Sequence, residues 1–416
     1  SHFYKLLNFK DMNLVERFLK YVSFDTQSSE ETRITPSTPG QMVFAKYLKS
    51  ELESLGLEEI TLDEHGYLFA TLPANTDKEI PTIGFIAHMD TADYNAENIK
   101  PRIIENYDGN DICLNEEHQI FTRREDFPNL KNYIGKSLVV TDGLTLLGGD
   151  DKAGICEIME ALSYLVAHPE IKHGKIMCAF GPDEEIGTGA DHFDVKQFPV
   201  DFAYTIDGES LGQLEYETFN AAGGTVTLKG VSVHTGTAKG IMINCAKLAM
   251  QFDALLPGAA VPEYTCGRQG FFMLMSMETQ VDTGKMNYII RDHDKELFEA
   301  KKAFFLQAGQ TLNEIYGREV CEVSVKDQYY NMYDIIKDNM ECVNVAKAAM
   351  EKAGITPICD PIRGGTDGAR LSYMGLPCPN LFTGGMNFHG KFEYCSLDTM
   401  RRAQQTILNL IQLWAE

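Results

Sequence analysis

The sequence has few basic residues for its length. Its 37 lysines and arginines face 60 aspartates and glutamates, and the net charge is −23 at pH 7. A surface of this sign repels the phosphate backbone, which argues against nucleic acid as a partner. An acidic surface mostly favours solubility, but clustered carboxylates also hold divalent cations. The charge therefore argues against one class of partner and is compatible with a cation site.

The sequence also lacks paired cysteines and long apolar runs. Its ten cysteines are spread out without a CxxC pair, which favours free thiols in a reducing compartment over a disulfide framework or a thiolate zinc site. No apolar run approaches the roughly 18 residues that span a bilayer, and no secretory signal peptide is recognisable. We expect a soluble, cytoplasmic protein with no membrane partner. Residues 1–11 fit poorly with the remainder of the chain, and we expect Met12 to be the natural start.

The pattern of apolar residues predicts an α/β fold. Hydrophobic residues make up 44% of the 416 positions, which is ample for two or three domains. Short apolar runs, typical of strands buried on both faces, alternate with amphipathic helices. We expect one of these runs, Leu138-Val139-Val140, to be a strand in the same sheet as the others. We expect a catalytic domain, residues 12–217 and 332–416, with a mixed, mostly parallel sheet flanked by helices. Residues 218–331 change to a β-α-β-β-α-β order, which predicts an inserted ferredoxin-like lid domain.

The most informative stretch is residues 148–154. Two glycines lead into the adjacent carboxylates of Asp150 and Asp151, directly before an amphipathic helix. Adjacent like charges repel, and burying them is costly without a cation. Aspartate is also a good helix cap. This stretch alone therefore fits a capped helix after a glycine turn as well as it fits a metal site.

Further acids and histidines follow the apolar strands. They are His88, Asp90, Glu184, Glu185, Asp207 and His389. Ligands of an open α/β sheet bind beyond the carboxyl ends of the strands, so we expect these side chains to meet Asp150. Each alone also fits an ordinary turn or loop residue. Five carboxylates around two imidazoles, however, would repel one another strongly without metal. Nitrogen and oxygen donors without thiolate favour zinc, with cobalt and manganese as alternatives.

As a set, these motifs resemble the M20 family of dizinc peptidases, from about Met12 to the C-terminus. The segments that carry the resemblance are His88-Met89-Asp90-Thr91-Ala92, Gly149-Asp150-Asp151-Lys152-Ala153-Gly154, Asp183-Glu184-Glu185-Ile186-Gly187, Asp207-Gly208 and Phe388-His389-Gly390. Within the family the match is closest to the tripeptide aminopeptidases. Asp25-Thr26-Gln27-Ser28 and Val233-His234-Thr235-Gly236 support that narrower assignment.

The resemblance implies two Zn²⁺ ions per subunit. Asp150 would bridge them, His88 and Asp207 would complete one metal, and Glu185 and His389 would complete the other. All five positions match the family pattern.

The resemblance also implies the catalytic roles. Glu184 would be the general base that takes a proton from the attacking water, and Asp90 would hold the ring of His88 in place. In the inserted domain, His234 would stabilise the oxyanion. We expect Arg291 to hold a substrate carboxylate by two hydrogen bonds, and Asn244 to make a polar substrate contact. Surface positions for His234 and Arg291, and a helix cap for Asn244, are the alternatives.

The implied activity is release of the N-terminal residue from short peptides. We expect the substrates to be tripeptides with a free N-terminus, bound by a monomer or a homodimer whose lid domain closes over the metal site. One alternative is another M20-type hydrolase, namely a dipeptidase, a carboxypeptidase or an N-acyl amino-acid deacylase. A second is a non-catalytic binding protein on the same fold.

Overall fold

The computed structural model describes residues 12–416, so the expectation about residues 1–11 lies outside the described residues. The helices of the described chain are α1 (Leu14–Val22), α2 (Pro39–Leu55), α3 (Gly149–Ala167), α4 (Cys245–Leu255), α5 (Lys295–Tyr316), α6 (Tyr333–Ile336), α7 (Glu341–Lys352), α8 (Asp367–Tyr373) and α9 (Leu397–Trp414). The strands are β1 (Glu58–Leu62), β2 (Leu68–Leu72), β3 (Ile83–His88), β4 (Arg102–Ile104), β5 (Ile112–Asn115), β6 (Ile120–Thr122), β7 (Leu138–Val140), β8 (Ile176–Gly181), β9 (Phe202–Ile206), β10 (Leu214–Glu215), β11 (Asn220–Lys229), β12 (Phe271–Thr279), β13 (Thr283–Asp292), β14 (Cys321–Tyr329), β15 (Asn380–Leu381), β16 (Gly385–Met386) and β17 (Tyr394–Ser396).

The chain forms two compact units. The first contains the described residues up to Tyr216, together with Ile335–Cys359 and Leu371–Glu416. The second contains Glu217–Asp334 and Asp360–Arg370.

The first unit is built on a seven-stranded sheet in the order β1-β2-β8-β3-β9-β15-β10. Its central strands β8, β3, β9 and β15 run parallel, and the outer pairs are antiparallel. All six residues of β3 are buried, as expected of a parallel strand covered on both faces. The carboxyl ends of the central strands therefore meet at one edge of this sheet.

Helix α3 packs very closely against that edge of the sheet. A Cβ atom on Gly154 would lie 1.9 Å from the carbonyl oxygen of Ile206, the last residue of β9. Only glycine allows the helix backbone to approach the strand this closely. The close approach brings the start of α3, with Asp150 and Asp151, to the residue that follows β9, Asp207.

A second, antiparallel sheet of the first unit has the order β16-β17-β7-β4. From its apolar character we expected 138–140 to belong to the central sheet. The structure corrects this expectation, because β7 pairs with β4 and β17 instead. Three buried apolar residues predict a strand but do not identify its partners.

The second unit has the element order β11-α4-β12-β13-α5-β14. Its sheet, in the order β12-β13-β11-β14, is antiparallel throughout. One hydrophobic core fills it, in which Val226 of the sheet joins Phe252 of α4 and Phe305 of α5. Between Met12 and Glu416, no helix combines the length and the apolar character that crossing a membrane would require.

A buried ion cluster joins three helices of the first unit. The Arg17 guanidinium on α1 lies 2.7 Å from a carboxylate oxygen of Glu51 on α2 and 2.6 Å from one of Glu160 on α3. The hydroxyl of Tyr21 donates to Glu51 as well. Arg17 and Glu51 are both 0% exposed. Removing one partner of such a pair leaves the other charge buried and uncompensated.

We expect Arg17→Met to lower the free energy of unfolding by about 3–5 kcal/mol, because Glu51 would lose its cation inside the fold. Urea unfolding followed by circular dichroism measures the change. Lys49→Met is the matched control, since Lys49 pairs with Glu53 at 3.8 Å on the exposed surface of α2, where such a pair contributes at most about 1 kcal/mol. Equal losses in the two variants would contradict the assignment of Arg17 to the core.

Candidate metal centre

The structure brings together the acids and histidines that follow the central strands. His88 is the last residue of β3, Glu184 and Glu185 follow β8, and Asp207 follows β9. Asp150 joins them from the start of α3. His389 lies in the loop between β16 and β17. Every one of these residues belongs to the first unit.

The carboxylate of Asp150 lies between the two imidazoles. One oxygen, Oδ1, is 2.9 Å from Nε2 of His88, and the other, Oδ2, is 2.9 Å from Nε2 of His389. The Asp150 side chain is 8% exposed. A carboxylate with a nitrogen donor beside each oxygen is suited to bridge two cations.

Two further acids lie close to the imidazoles. Nε2 of His389 is 3.0 Å from an oxygen of Glu185, and Nε2 of His88 is 3.4 Å from an oxygen of Asp207. Two groups of possible metal donors have their atoms within 4.8 Å of one another: His88 with Asp150 and Glu185, and His88 with Asp151 and Asp207. Their nitrogen and oxygen donors fit a divalent transition metal such as zinc.

Asp90 holds two parts of this centre in place. Its Oδ1 is 3.1 Å from Nδ1 of His88, on the side of the ring away from Asp150. The two oxygens of Asp90 also accept hydrogen bonds from the backbone N–H groups of Glu184 and Glu185, both at 3.0 Å. Asp90 is 0% exposed. This one carboxylate therefore fixes the orientation of the His88 ring and the path of the Glu184-Glu185 turn.

Crowding shifts the pKa values of the centre in opposite directions. Burial, together with the charge of Asp150, raises the pKa of Glu185 well above its usual range, and burial raises the pKa of Asp207 to about 7. Burial would also raise the pKa of Asp150, but its hydrogen bonds with His389 and His88 hold it well below the usual range. Hydrogen bonds with Asp150 and Glu185 raise the pKa of His389 to about 11. A bound cation would replace the protons that the cluster otherwise retains.

Three buried acids in or near the segments that carry the centre were absent from the predicted site. Asp151 places a carboxylate beside His88 and Asp207, and its position next to Asp150 was the available signal. Asp183 accepts hydrogen bonds from the backbone and the hydroxyl of Ser37. Glu393 accepts three from the turn that carries Asp150. Asp183 follows β8 directly before Glu184, and that position was the available signal, whereas Glu393 precedes β17 and carries no such signal.

The three predicted substrate residues lie in the second unit. His234 is exposed, and its Nδ1 accepts a hydrogen bond from the N–H of Gly236, so the neutral ring carries its proton on Nε2. Arg291 donates to the carbonyl oxygens of Ala222 and Ile290. Asn244 caps α4 by accepting from the backbone N–H two residues later.

Comparison with solved structures supports this fold. An aminopeptidase PepT from Bacillus cereus ATCC 10987 superposes with a TM-score of 0.78 at 24% identity, over 97% of this chain and 98% of that one. A dinuclear metal-binding peptidase of the M20 family from Bacillus subtilis superposes with a TM-score of 0.65 at 15% identity, over 96% of each chain. The predicted α/β fold class, with its mostly parallel sheet flanked by helices, is confirmed.

Comparison of sequences gives the family. A Peptidase T of Fusobacterium nucleatum subsp. nucleatum is 56% identical over 98% of this chain and 99% of its own length. A Peptidase T of Bacillus subtilis is 54% identical over 95% of this chain and 97% of its own length. The model of peptidase family M20/M25/M40 matches residues 141–413. The predicted resemblance is confirmed, and the chain belongs to peptidase family M20/M25/M40.

Proposed function

We propose that this chain is a dizinc aminopeptidase that releases the N-terminal residue of tripeptides. The observation that carries the proposal is the position of Asp150 between His88 and His389, with one carboxylate oxygen 2.9 Å from each ring. Membership of a peptidase family supports a peptide substrate, and the relatives called Peptidase T support the narrower assignment.

We assign His88 and Asp207 to one cation, Glu185 and His389 to the other, and Asp150 to both. Zinc suits this donor set, and cobalt and manganese remain alternatives. When bound, such a pair of cations polarises the peptide carbonyl and lowers the pKa of a water molecule.

We assign the role of general base to Glu184. Its Oε2 lies 3.4 Å from Nε2 of His88, and its side chain is 16% exposed, so the carboxylate reaches both the centre and incoming water. Glu184 takes a proton from the attacking water and returns one to the leaving amine. Asp90 supports this role by holding the backbone of Glu184.

A cavity beside Glu185 supports a substrate with a free N-terminus. The cavity has a volume of about 770 Å³. Its carboxylates are those of Asp25, Glu30, Glu31, Asp93, Glu97 and Glu185, and its lining within the described chain includes neither lysine nor arginine. A positively charged ammonium group is favoured there, whereas a peptide carboxylate would be repelled. This charge favours an aminopeptidase over a carboxypeptidase or a deacylase.

Several finer assignments stay predictions. The tautomer of His234 suits its proposed role, since Nε2–H is the group that would donate to an oxyanion. Contacts of Arg291 with a substrate carboxylate, and of Asn244 with a polar group, are proposed from their positions in a strand and at the start of a helix. A cytoplasmic location rests on the cysteine pattern, and monomer and homodimer stay open.

We expect Zn²⁺ to raise the thermal unfolding midpoint of the metal-free protein, because the cation relieves repulsion among the clustered carboxylates. At a free zinc concentration about 1,000 times the Kd, the gain in unfolding free energy is about 4 kcal/mol. Differential scanning calorimetry measures it. K⁺ at matched ionic strength, and Asp150→Asn with Zn²⁺, are the controls. An unfolding midpoint that does not change when zinc is added would contradict the metal assignment.

The adjacent glutamates provide a matched pair of variants. We expect Glu184→Gln to lower kcat by roughly a hundred- to ten-thousand-fold, because the general base is lost, while the metal content stays unchanged. Glu185→Gln is expected to lose metal as well as activity, because it removes a ligand. Steady-state kinetics and metal analysis of both proteins separate the roles. A fully active Glu184→Gln enzyme would rule out the proposed base.

The function itself is tested with Ala-Ala-Ala, beside N-acetylated and C-amidated versions, with products identified by mass. We expect free N-terminal alanine from the unblocked peptide, no cleavage of the acetylated one, and loss of activity on chelation. Arg291→Ala is expected to weaken the preference for a free C-terminus. Cleavage of the acetylated peptide would instead move the enzyme to a deacylase or carboxypeptidase branch, and inactivity after zinc loading would favour a binding protein.

A further inference from the structure

We propose that Glu393 is a positioning residue whose buried carboxylate holds the turn that carries Asp150 and thereby strengthens metal binding. This inference rests on the metal role proposed above for Asp150. Within the described chain, the Glu393 carboxylate accepts its hydrogen bonds from backbone N–H groups of this turn, so it would act through the backbone of the ligand.

The contacts of Glu393 are concentrated on one turn. Oε1 accepts hydrogen bonds from the backbone N–H groups of Leu147 and Gly148, at 2.8 and 2.7 Å. Oε2 accepts one from the N–H of Asp150, at 3.0 Å. Glu393 is 2% exposed. Three donors on one buried carboxylate fix the backbone on both sides of Gly149.

The turn at Gly149 is tightly packed against Cys395 and Glu393. A Cβ atom on Gly149 would lie 2.4 Å from Sγ of Cys395 and 3.4 Å from Oε2 of Glu393. Cys395 belongs to β17, which pairs with β7. The carboxylate therefore extends from a segment that is itself anchored in a sheet.

Glu393 also connects two ligands of the centre. It follows His389 by four residues, and its backbone N–H donates to the carbonyl oxygen of Gly390. One short segment thus carries the His389 imidazole and the group that holds Asp150. The 2.9 Å separation of Nε2 of His389 from Oδ2 of Asp150 depends on how well that segment is fixed to the turn.

Asp90 shows the same arrangement on the other side of the centre, where it accepts the N–H groups of Glu184 and Glu185. Each of the two ligand-bearing turns is therefore held through its backbone by a buried carboxylate. A carboxylate is suited to this task because both oxygens accept. An amide would present an NH₂ group to one of the N–H donors, and it would also lack the negative charge that favours a nearby cation.

Glu393→Gln tests the proposal, with zinc affinity of the folded, metal-free protein measured by competition with a chelator. We expect the affinity to fall by about ten- to a hundred-fold, as substitutions behind metal ligands do. The visible spectrum of the cobalt-loaded variant is expected to change, because the Asp150 carboxylate would no longer be held in place.

Glu51→Gln is the matched control. Glu51 lies on α2, is 0% exposed, and its carboxylate accepts hydrogen bonds from Arg17 and Tyr21. It tests the effect of a buried Glu-to-Gln change that removes hydrogen bonds elsewhere in the first unit. We expect it to lose unfolding free energy, while its zinc affinity and cobalt spectrum equal those of the unsubstituted protein.

The outcomes separate this inference from the proposed function. If the unsubstituted protein bound no zinc, the metal assignment itself would fail. If it bound zinc tightly and Glu393→Gln bound it equally well, the positioning role would be wrong. A Glu393→Gln variant that lost only unfolding free energy, with zinc affinity unchanged, would also overturn it. Should that variant not fold, Glu393→Asp keeps the charge on a shorter side chain, and the same loss of affinity is expected and required.

Discussion

The Asp150 carboxylate lies between two imidazoles and beside the carboxylates of Asp151, Glu185 and Asp207. Negative charge concentrated in so little space opposes folding unless cations and N–H donors compensate it. The fold supplies the donors through precise backbone placement. Parallel strands deliver His88 and Asp207 to one edge, and the Gly154 contact brings α3 against the end of β9. The central sheet therefore holds carboxylates that repel one another close together at one edge.

Much of this edge was predictable because it depends on chain direction. In a parallel sheet, the residue after each buried strand reaches the same edge whatever the details of packing. His88, Glu184 and Asp207 meet for that reason, and the apolar runs before them identify the strands. The position of Asp150 between two rings was available only from the family resemblance, since it depends on where a loop delivers His389.

The features that sequence could not reveal depend on contacts between distant segments. Arg17 has the pattern of a polar position on an amphipathic helix, but Glu51 and Glu160 enclose it. Leu138–Val140 is a correctly predicted strand in a different sheet, because its apolar residues do not identify β4 and β17 as partners. The role of Glu393 could not be predicted, because its carboxylate accepts hydrogen bonds from backbone N–H groups 243–246 residues away. Contacts between such distant segments leave no local sequence pattern. The periodicity of apolar residues indicates which positions are buried, whereas only the structure identifies which charged side chains pair.

The segments that carry the metal donors all belong to the first unit, whereas His234, Arg291 and Asn244 belong to the second. In the proposed function, metal binding and substrate selection therefore use separate sets of residues. The first set needs rigid backbone, and it is held by buried carboxylates that have little freedom to move. The second set lies on a unit with its own hydrophobic core, with Arg291 on β13, Asn244 at the start of α4 and His234 in the loop after β11. Under this proposal, substitutions in the second unit alter the choice of peptide without changing the charges of the first unit on which the metal centre depends.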